Sequence, residues 1–290
     1  MMNKATSAVE LRERLFGRMM PWQPSLMEDT PEILFRGTPP MVHIARGVAS
    51  DVQVMTGVMD SEFTLFTLDP SWKRRFFKKK GELLSKPELR DFIVQHVLSW
   101  IRNDPRYRVP SDVAQRIAGI VDFYLNDNQV SEELLEFVFE RIHSVWIFDL
   151  PAERLVQAHS KTARYPTFCY RVTHRSNIEM LKSPHALDLP LVFGNLDSAF
   201  GKVLAGDGPE SQRVSREMMR AFTQFAKCGN PGFKPYSQGA VQMFGPPSSV
   251  PHDATVFQSL KEKRAWDFAL KNVELSVGFF DEGSTSPARL

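Results

Sequence analysis

Apolar residues recur at helix spacing between Ser85 and Ser160. Ser85 and Glu88 stand in the order of a capping box, which predicts that the first helix begins there. Polar breaks near 103–110 and 126–131 divide the region, so the pattern predicts three or four helices. The apolar stripe of the first helix consists of Leu89, Phe92, Ile93, Val97, Leu98 and Ile101.

The segments on either side of this region predict strands. The run VASDVQVMTGVMDSEFTLF is compact, apolar and broken at Gly57, and within it Val52, Val54 and Met55 are predicted to form a buried strand that ends in a loop. The segment YPTFCYRVTH is rich in β-branched and aromatic residues, which favours a second strand. The sequence that follows it, SNIEMLKSPHALDLPLVFGN, is predicted to be a loop.

A further helix is predicted from about Ser211 to Gly229, because an apolar face ends at a glycine and a proline follows. Three segments are expected along the chain: a helical or flexible segment at 1–20, a main domain at 21–280 and a disordered tail at 281–290.

Charge and hydropathy exclude several classes of partner. The 290 residues include 36 basic and 34 acidic side chains, so a formal net charge of +2 creates no overall field towards nucleic acid or anionic lipid. The basic run KRRFFKKK at 73–80 is interpreted as a solvated face rather than a nucleic-acid patch. No run reaches the roughly 20 apolar residues of a membrane span. We therefore expect a soluble protein without nucleic-acid or membrane partners.

The cysteines indicate whether a metal site is expected, and the amino-terminal residues indicate the cellular location. Cys169 and Cys228 have no neighbouring Cys or His at metal-ligand spacing, so no metal site is predicted. The first residues are interrupted by charges and lack the apolar core of a signal peptide. The expected location is cytoplasmic, or secreted if a missing amino-terminal half carried a signal.

Two short motifs carry candidate chemistry. Gly57 and Glu62 frame a Gly-x-x-x-x-Glu turn in GVMDSEFTLF, and His185 opens the segment HALDLPLVFGN. A neutral imidazole can take a proton from a hydroxyl and return it to a leaving alkoxide. A carboxylate on the other ring nitrogen fixes the tautomer and stabilises the imidazolium. Glu62 and His185 are therefore the candidate catalytic pair.

These motifs, in this order, resemble those of the type-B carboxylesterase and cholinesterase family, an α/β-hydrolase group. The segments VWIFDLPAERLVQAHS, TFCYRV and MMRAFTQFAKCGNPG resemble further family motifs, so the resemblance runs from about Pro21 to Trp266. It implies an α/β fold, namely a partial α/β-hydrolase fold that comprises the carboxyl-terminal half of the sheet with a helical insertion. It also implies that Glu62 is the acid and His185 the histidine of a catalytic triad, with no metal or organic cofactor.

The chain departs from the family pattern near both motifs. The family often has an aspartate ahead of its proline-alanine pair, where this chain reads Ser144-Val145-Trp146, and often a glycine after the acid, where this chain has Phe63. Helices of this region line part of the family's substrate gorge, so the resemblance makes Phe92, Phe123 and Phe137 candidates for ligand contact. The other histidines are interpreted as structural or surface residues: His43, His96, His143, His159, His174 and His252.

The nucleophile motif of the family has no counterpart here. A Gly-x-Ser-x-Gly turn needs two glycines four positions apart, and no two of the 16 glycines are so spaced. No two glycines are adjacent, as the family's oxyanion loop requires. We therefore expect a fragment of a carboxylic-ester hydrolase that supplies the acid and histidine, while the serine comes from a missing amino-terminal half.

Two other interpretations stay open. The chain could be a catalytically inactive remnant or interaction module that keeps the fold, or the product of a truncated gene model of a full esterase. The expected partner is a small-molecule ester if an amino-terminal half completes the site. An isolated half would expose a sheet edge, through which self-association is expected.

Overall fold

The computed structural model describes residues 40–68, 82–102, 107–108, 110–126, 129–246, 255–271 and 274–275. The predicted segment 1–20, the predicted tail 281–290 and the basic run 73–80 lie outside these residues. Of the described helices, each is too short or too polar to cross a lipid bilayer.

A three-stranded parallel sheet lies at the centre of the described fold. It consists of β1 (Val54–Met59), β3 (Thr167–Val172) and β4 (Gln242–Phe244), in the order β1-β3-β4. Every residue of β3 is buried, as expected of a parallel strand covered on both faces. Val52 lies before β1 and is exposed, so its predicted place in a buried strand was wrong. The strand instead extends past Gly57 to Met59.

Helices fill the long connection between β1 and β3, because parallel strands need a crossover. Before β1 lies α1 (Pro40–Ala45), and after it come α2 (Lys86–Arg102), α3 (Val113–Leu125), α4 (Glu132–Ser144) and α5 (Leu150–Thr162), with the short strand β2 (Tyr107–Arg108) between α2 and α3. The four helices α2 to α5 match the predicted three or four. At the start of α2, Ser85 N–H donates to Glu88 Oε2 at 2.8 Å, as in the predicted capping box. A π-helical turn (Val145–Asp149) joins α4 to α5.

The segment after β3 contains more helix than its composition suggests. The predicted loop includes a 3₁₀ turn (Glu179–Leu181) and a short helix that begins at Asp188. The predicted helix near Ser211 is confirmed and ends at Gly229, whose φ of 70° is left-handed. The remaining bounds are α6 (Asp188–Val192), α7 (Ala199–Leu204), α8 (Pro209–Cys228), α9 (Leu260–Ala269) and β5 (Glu274–Leu275), and β5 pairs antiparallel with β2.

The apolar core joins the carboxyl ends of the strands to the later helices. Its buried members come from all three strands, from α6 to α8 and from the loops between them; among them are Met59, Tyr170, Val172, Leu191, Val214, Met218 and Phe244. The segment after β3 therefore packs back onto the sheet near the strand ends.

A buried ionic cluster ties the helical insertion to α9. Arg141 of α4 is fully buried and donates to Asp149 at 2.5 Å and to Glu262 at 2.7 Å. Tyr124 donates to the same Glu262 at 2.6 Å, and Trp266 donates to the Tyr124 hydroxyl at 2.9 Å. Because an unpaired buried charge costs several kcal/mol, such a cluster favours one arrangement of the helices.

We predict that Gly57→Ala destabilises the fold by about 2 kcal/mol or more, because overpacking at a rigid backbone contact cannot relax. A Cβ at Gly57 would lie 2.4 Å from both the ring and the carbonyl oxygen of Tyr170, its partner in β3. Urea unfolding measures the loss. Gly119→Ala is the matched control, because its Cβ would meet open space on α3, and it should stabilise the helix by up to about 1 kcal/mol. Equal stability of the two variants would contradict this account of the strand contact.

Candidate active site

Glu62 lies just beyond the carboxyl end of β1. It begins a 3₁₀ helix (Glu62–Leu68) and is buried, with 4% of its surface exposed. The chain turns back on itself there, so that Oε1 accepts a hydrogen bond of 2.7 Å from the backbone N–H of Met59 in the strand. One carboxylate oxygen is thus held by the strand, and the other faces away from it.

His185 lies in the segment that follows β3 and approaches the same end of the sheet. Its Nδ1 is 2.7 Å from Oε2 of Glu62, and its backbone N–H donates to the carbonyl of Glu62 at 3.1 Å. The next residue, Ala186, has a left-handed φ of 67°, and α6 begins shortly afterwards at Asp188. The structure therefore brings together both residues predicted from the sequence.

The hydrogen-bond partner determines the tautomer of His185. In the neutral imidazole, a hydrogen on Nδ1 suits the carboxylate acceptor of Glu62 and leaves the lone pair on Nε2. The hydrogen bond from His185 to Glu62 raises the pKa of His185, against the lowering effect of burial, and the charges of Glu62 and Asp188 raise it further. The side chain is 43% exposed, and no group in the described parts of the chain hydrogen-bonds to Nε2. The Nε2 side of the ring thus has no hydrogen-bond partner within those residues, on a side chain that is partly open to solvent.

Backbone hydrogen bonds join the turn of Glu62 to the segment of His185. Ser61 N–H donates to Ser183 O at 2.9 Å, and the Thr64 hydroxyl donates to Leu181 O at 2.5 Å. The Ser183 hydroxyl in turn donates to the carbonyl of Val172 at the end of β3, at 2.8 Å. The two segments are thus held together independently of the Glu62–His185 contact itself.

Arg171 of β3 holds the other side of the turn. It is buried, and its Nε donates to Asp60 Oδ1 at 2.9 Å, while Nη1 donates to the carbonyl of Val256. We did not identify this pair from the sequence. The signal was a charged residue inside an otherwise buried strand, since such a residue needs a partner.

Two phenylalanines flank the imidazole. Phe148, from the π-helical turn, has its ring centroid 4.9 Å from that of His185, and Phe66, from the 3₁₀ helix, lies at 5.7 Å. These are not the rings singled out from the resemblance. Of those, Phe92 stacks on His96, Phe123 contacts Tyr124, and Phe137 lies under the ammonium of Lys182.

Several other histidines have partners that the sequence did not indicate. His96 and His143 face each other with their Nε2 atoms 3.2 Å apart. His159 bonds to the Thr167 hydroxyl at 2.7 Å and so joins α5 to β3. Within the described residues no group of three or more His, Cys, Asp or Glu side chains could hold a metal ion.

Comparison with known proteins assigns the chain to a family. A model of the carboxylesterase family matches residues 3–264. The chain belongs to the carboxylesterase family. Human cocaine esterase is 32% identical over 114 residues, which are 37% of this chain and 19% of that enzyme. Para-nitrobenzyl esterase of Bacillus subtilis is 37% identical over 86 residues, which are 29% of this chain and 17% of that enzyme.

Solved structures give the same fold. Carboxylesterase EST55 of Geobacillus stearothermophilus superposes with a TM-score of 0.56 at 25% identity, over 80% of this chain and 43% of that one. A PNB esterase structure superposes at 0.51 with 22% identity, which speaks for the fold alone. The predictions of the type-B carboxylesterase family and of the α/β-hydrolase fold are confirmed. The chain spans less than half the length of the relatives it matches.

We predict that Glu62→Gln lowers the pKa of His185, because the variant removes the hydrogen-bonded carboxylate that raises it. The pair stabilises the fold fully below the unfolded pKa of about 6.5 and loses that effect as pH rises through the raised value, so the variant loses more stability at mildly acidic pH than at alkaline pH. Histidine NMR titration measures the pKa. His174, whose pKa is lowered by burial, is the internal control and should not change. An unchanged pKa of His185 in Glu62→Gln would contradict the hydrogen bond between Glu62 and His185.

Proposed function

We propose that Glu62 and His185 are the acid and the general base of a carboxylic-ester hydrolase. The observation that carries this proposal is the 2.7 Å contact between Nδ1 and a buried carboxylate, on an imidazole whose side chain is 43% exposed. A base so oriented suits proton transfer to and from a serine hydroxyl. Family membership and the names of the related esterases support the same reaction class.

In the proposed reaction, Nε2 of His185 takes the proton of a serine hydroxyl while the serine oxygen bonds to the acyl carbon. The imidazolium so formed is stabilised by the Glu62 carboxylate. It then gives the proton to the departing alkoxide as the ester C–O bond breaks. Water, deprotonated by the same nitrogen, hydrolyses the acyl-serine in the second half of the cycle.

The serine is proposed to come from residues outside this sequence. The 290 residues contain no Gly-x-Ser-x-Gly motif and no adjacent glycines. The substrate would be a small-molecule carboxylic ester. Sequencing of the transcript upstream tests this part, since an in-frame segment with a glycine pair and the serine motif is expected.

The alternative is an esterase-like module that binds a partner without catalysis. The missing serine motif favours it, and so does the exposed apolar surface formed by α6, α7 and Phe193 just after α6. Phe193, for example, is 75% exposed, and Leu189, Phe200 and Val203 are also exposed. Exposed apolar groups of this size often belong to interaction surfaces.

We predict slow hydrolysis of p-nitrophenyl acetate by the whole chain, several-fold faster than by His185→Ala. An accessible imidazole can attack an activated ester directly, release nitrophenolate and lose the acyl group to water. Glu62→Gln should be intermediate, because the carboxylate that stabilises the positive charge is gone. Nitrophenolate absorbance measures the rates.

A fluorophosphonate probe applied to the same samples should label no serine. A labelled serine, with turnover lost in His185→Ala, would show that the nucleophile lies within this chain. Equal rates in the wild type and His185→Ala would show that the His185 imidazole is not accessible to an ester, as a general base at this site must be, and would favour the binding module.

A further inference from the structure

The peptide unit between Glu62 and Phe63 is hydrogen-bonded at both ends. Its carbonyl accepts from the backbone N–H of His185 at 3.1 Å, and its N–H donates to the hydroxyl of Ser144 at 2.9 Å. Because a peptide unit is planar, it can turn only as a whole. The bond to Ser144 therefore restrains the carbonyl on which the backbone of His185 rests.

Glu140 determines how the Ser144 hydroxyl points. Both residues lie on α4, one helical turn apart, and both are buried, with 0% of Ser144 and 4% of Glu140 exposed. The hydroxyl donates to Glu140 Oε1 at 2.6 Å. Its single hydrogen is thus used, so a lone pair is left to accept from Phe63 N–H.

Lys182 connects Glu140 back to the segment of His185. Its Nζ is 3.9 Å from Glu140 Oε2 and lies 5.6 Å from the centroid of the Phe137 ring. Its φ of 56° is left-handed, a conformation that costs energy for a lysine and persists where surrounding contacts hold it. Polar contacts thus run from Lys182 through Glu140, Ser144 and the Glu62–Phe63 peptide to the backbone N–H of His185, three residues after Lys182.

We propose that Ser144 and Glu140 are positioning residues, which hold the turn of Glu62 so that its carboxylate stays bonded to the His185 ring. A role of these two residues in catalysis rests on the proposed function, whereas their effect on the Glu62–His185 contact does not. The Glu140 carboxylate thus acts on the turn of Glu62 through the hydroxyl of Ser144.

The decisive variant is Ser144→Ala, which changes no charge. It removes the acceptor of Phe63 N–H, so the peptide can turn and the contact between His185 and Glu62 should lengthen. The pKa of His185, measured by NMR titration, should fall by about half a pH unit or more towards the ordinary value of about 6.5.

Ser211→Ala is the matched control. Ser211 is also a buried helical serine, and its hydroxyl donates to the carbonyl of Ala205 at 2.8 Å, away from the turn of Glu62. This variant should lose thermal stability with no change in the pKa of His185. If the variants only loosened the fold in general, the pKa of His185 would instead shift equally in Ser144→Ala and in Ser211→Ala.

Glu140→Gln keeps the test decisive if Ser144→Ala fails to fold. The amide has nearly the same shape but attracts the serine hydrogen less strongly, so the pKa of His185 should fall in the same direction by a smaller amount. A His185 titration unchanged from the wild type in every variant that folds would overturn the positioning role.

The titration needs no ester hydrolysis, so the two proposals can fail separately. A pKa that falls in Ser144→Ala while the wild type shows no His185-dependent hydrolysis would leave the positioning role and remove the proposed function. Hydrolysis that depends on His185, with an unchanged pKa of His185 in folded Ser144→Ala, would support the proposed function and overturn the positioning role.

Discussion

The parallel pairing of β1 with β3 is the interaction on which the candidate site depends. The register runs from Val54 opposite Thr167 to Met59 opposite Val172, so both strands end at the same edge of the sheet. The residues that follow them must therefore meet there, which is how Glu62 and His185 become neighbours. The pairing requires a glycine at position 57, because the backbone and ring of Tyr170 occupy the space of a side chain.

The helical insertion does more than return the chain to the sheet. The ring of Phe148, from this insertion, packs against one side of His185. The hydroxyl of Ser144, from its helix α4, accepts a hydrogen bond from the peptide next to Glu62. The buried Arg141 cluster holds the end of α4 against α9. Because moving either partner away would leave an uncompensated buried charge, this cluster disfavours other positions for the end of α4. Precision at the site thus depends on packing outside it.

Sequence patterns succeeded where the signal is local. The capping box at Ser85 and the glycine stop at Gly229 depend on neighbours within a turn or two, and both were found. The prediction for Val52 was wrong because a valine just before a strand cannot be distinguished by its residue type from a valine inside the strand. The short helix at Asp188 was missed because packing against α8, rather than propensity, stabilises so short a segment.

The sequence by itself determined the family and the α/β class, and it singled out Glu62 and His185 as the candidate pair, through motifs that each span only a few residues. Only the tertiary structure decided that two residues 123 positions apart form a 2.7 Å contact through Nδ1 and that the His185 side chain stays 43% exposed. It also decided that Ser144, Glu140 and Arg171 contribute to the same turn. The physical reason is that local periodicity depends on adjacent residues, whereas these hydrogen bonds arise only after distant strands and helices have packed together.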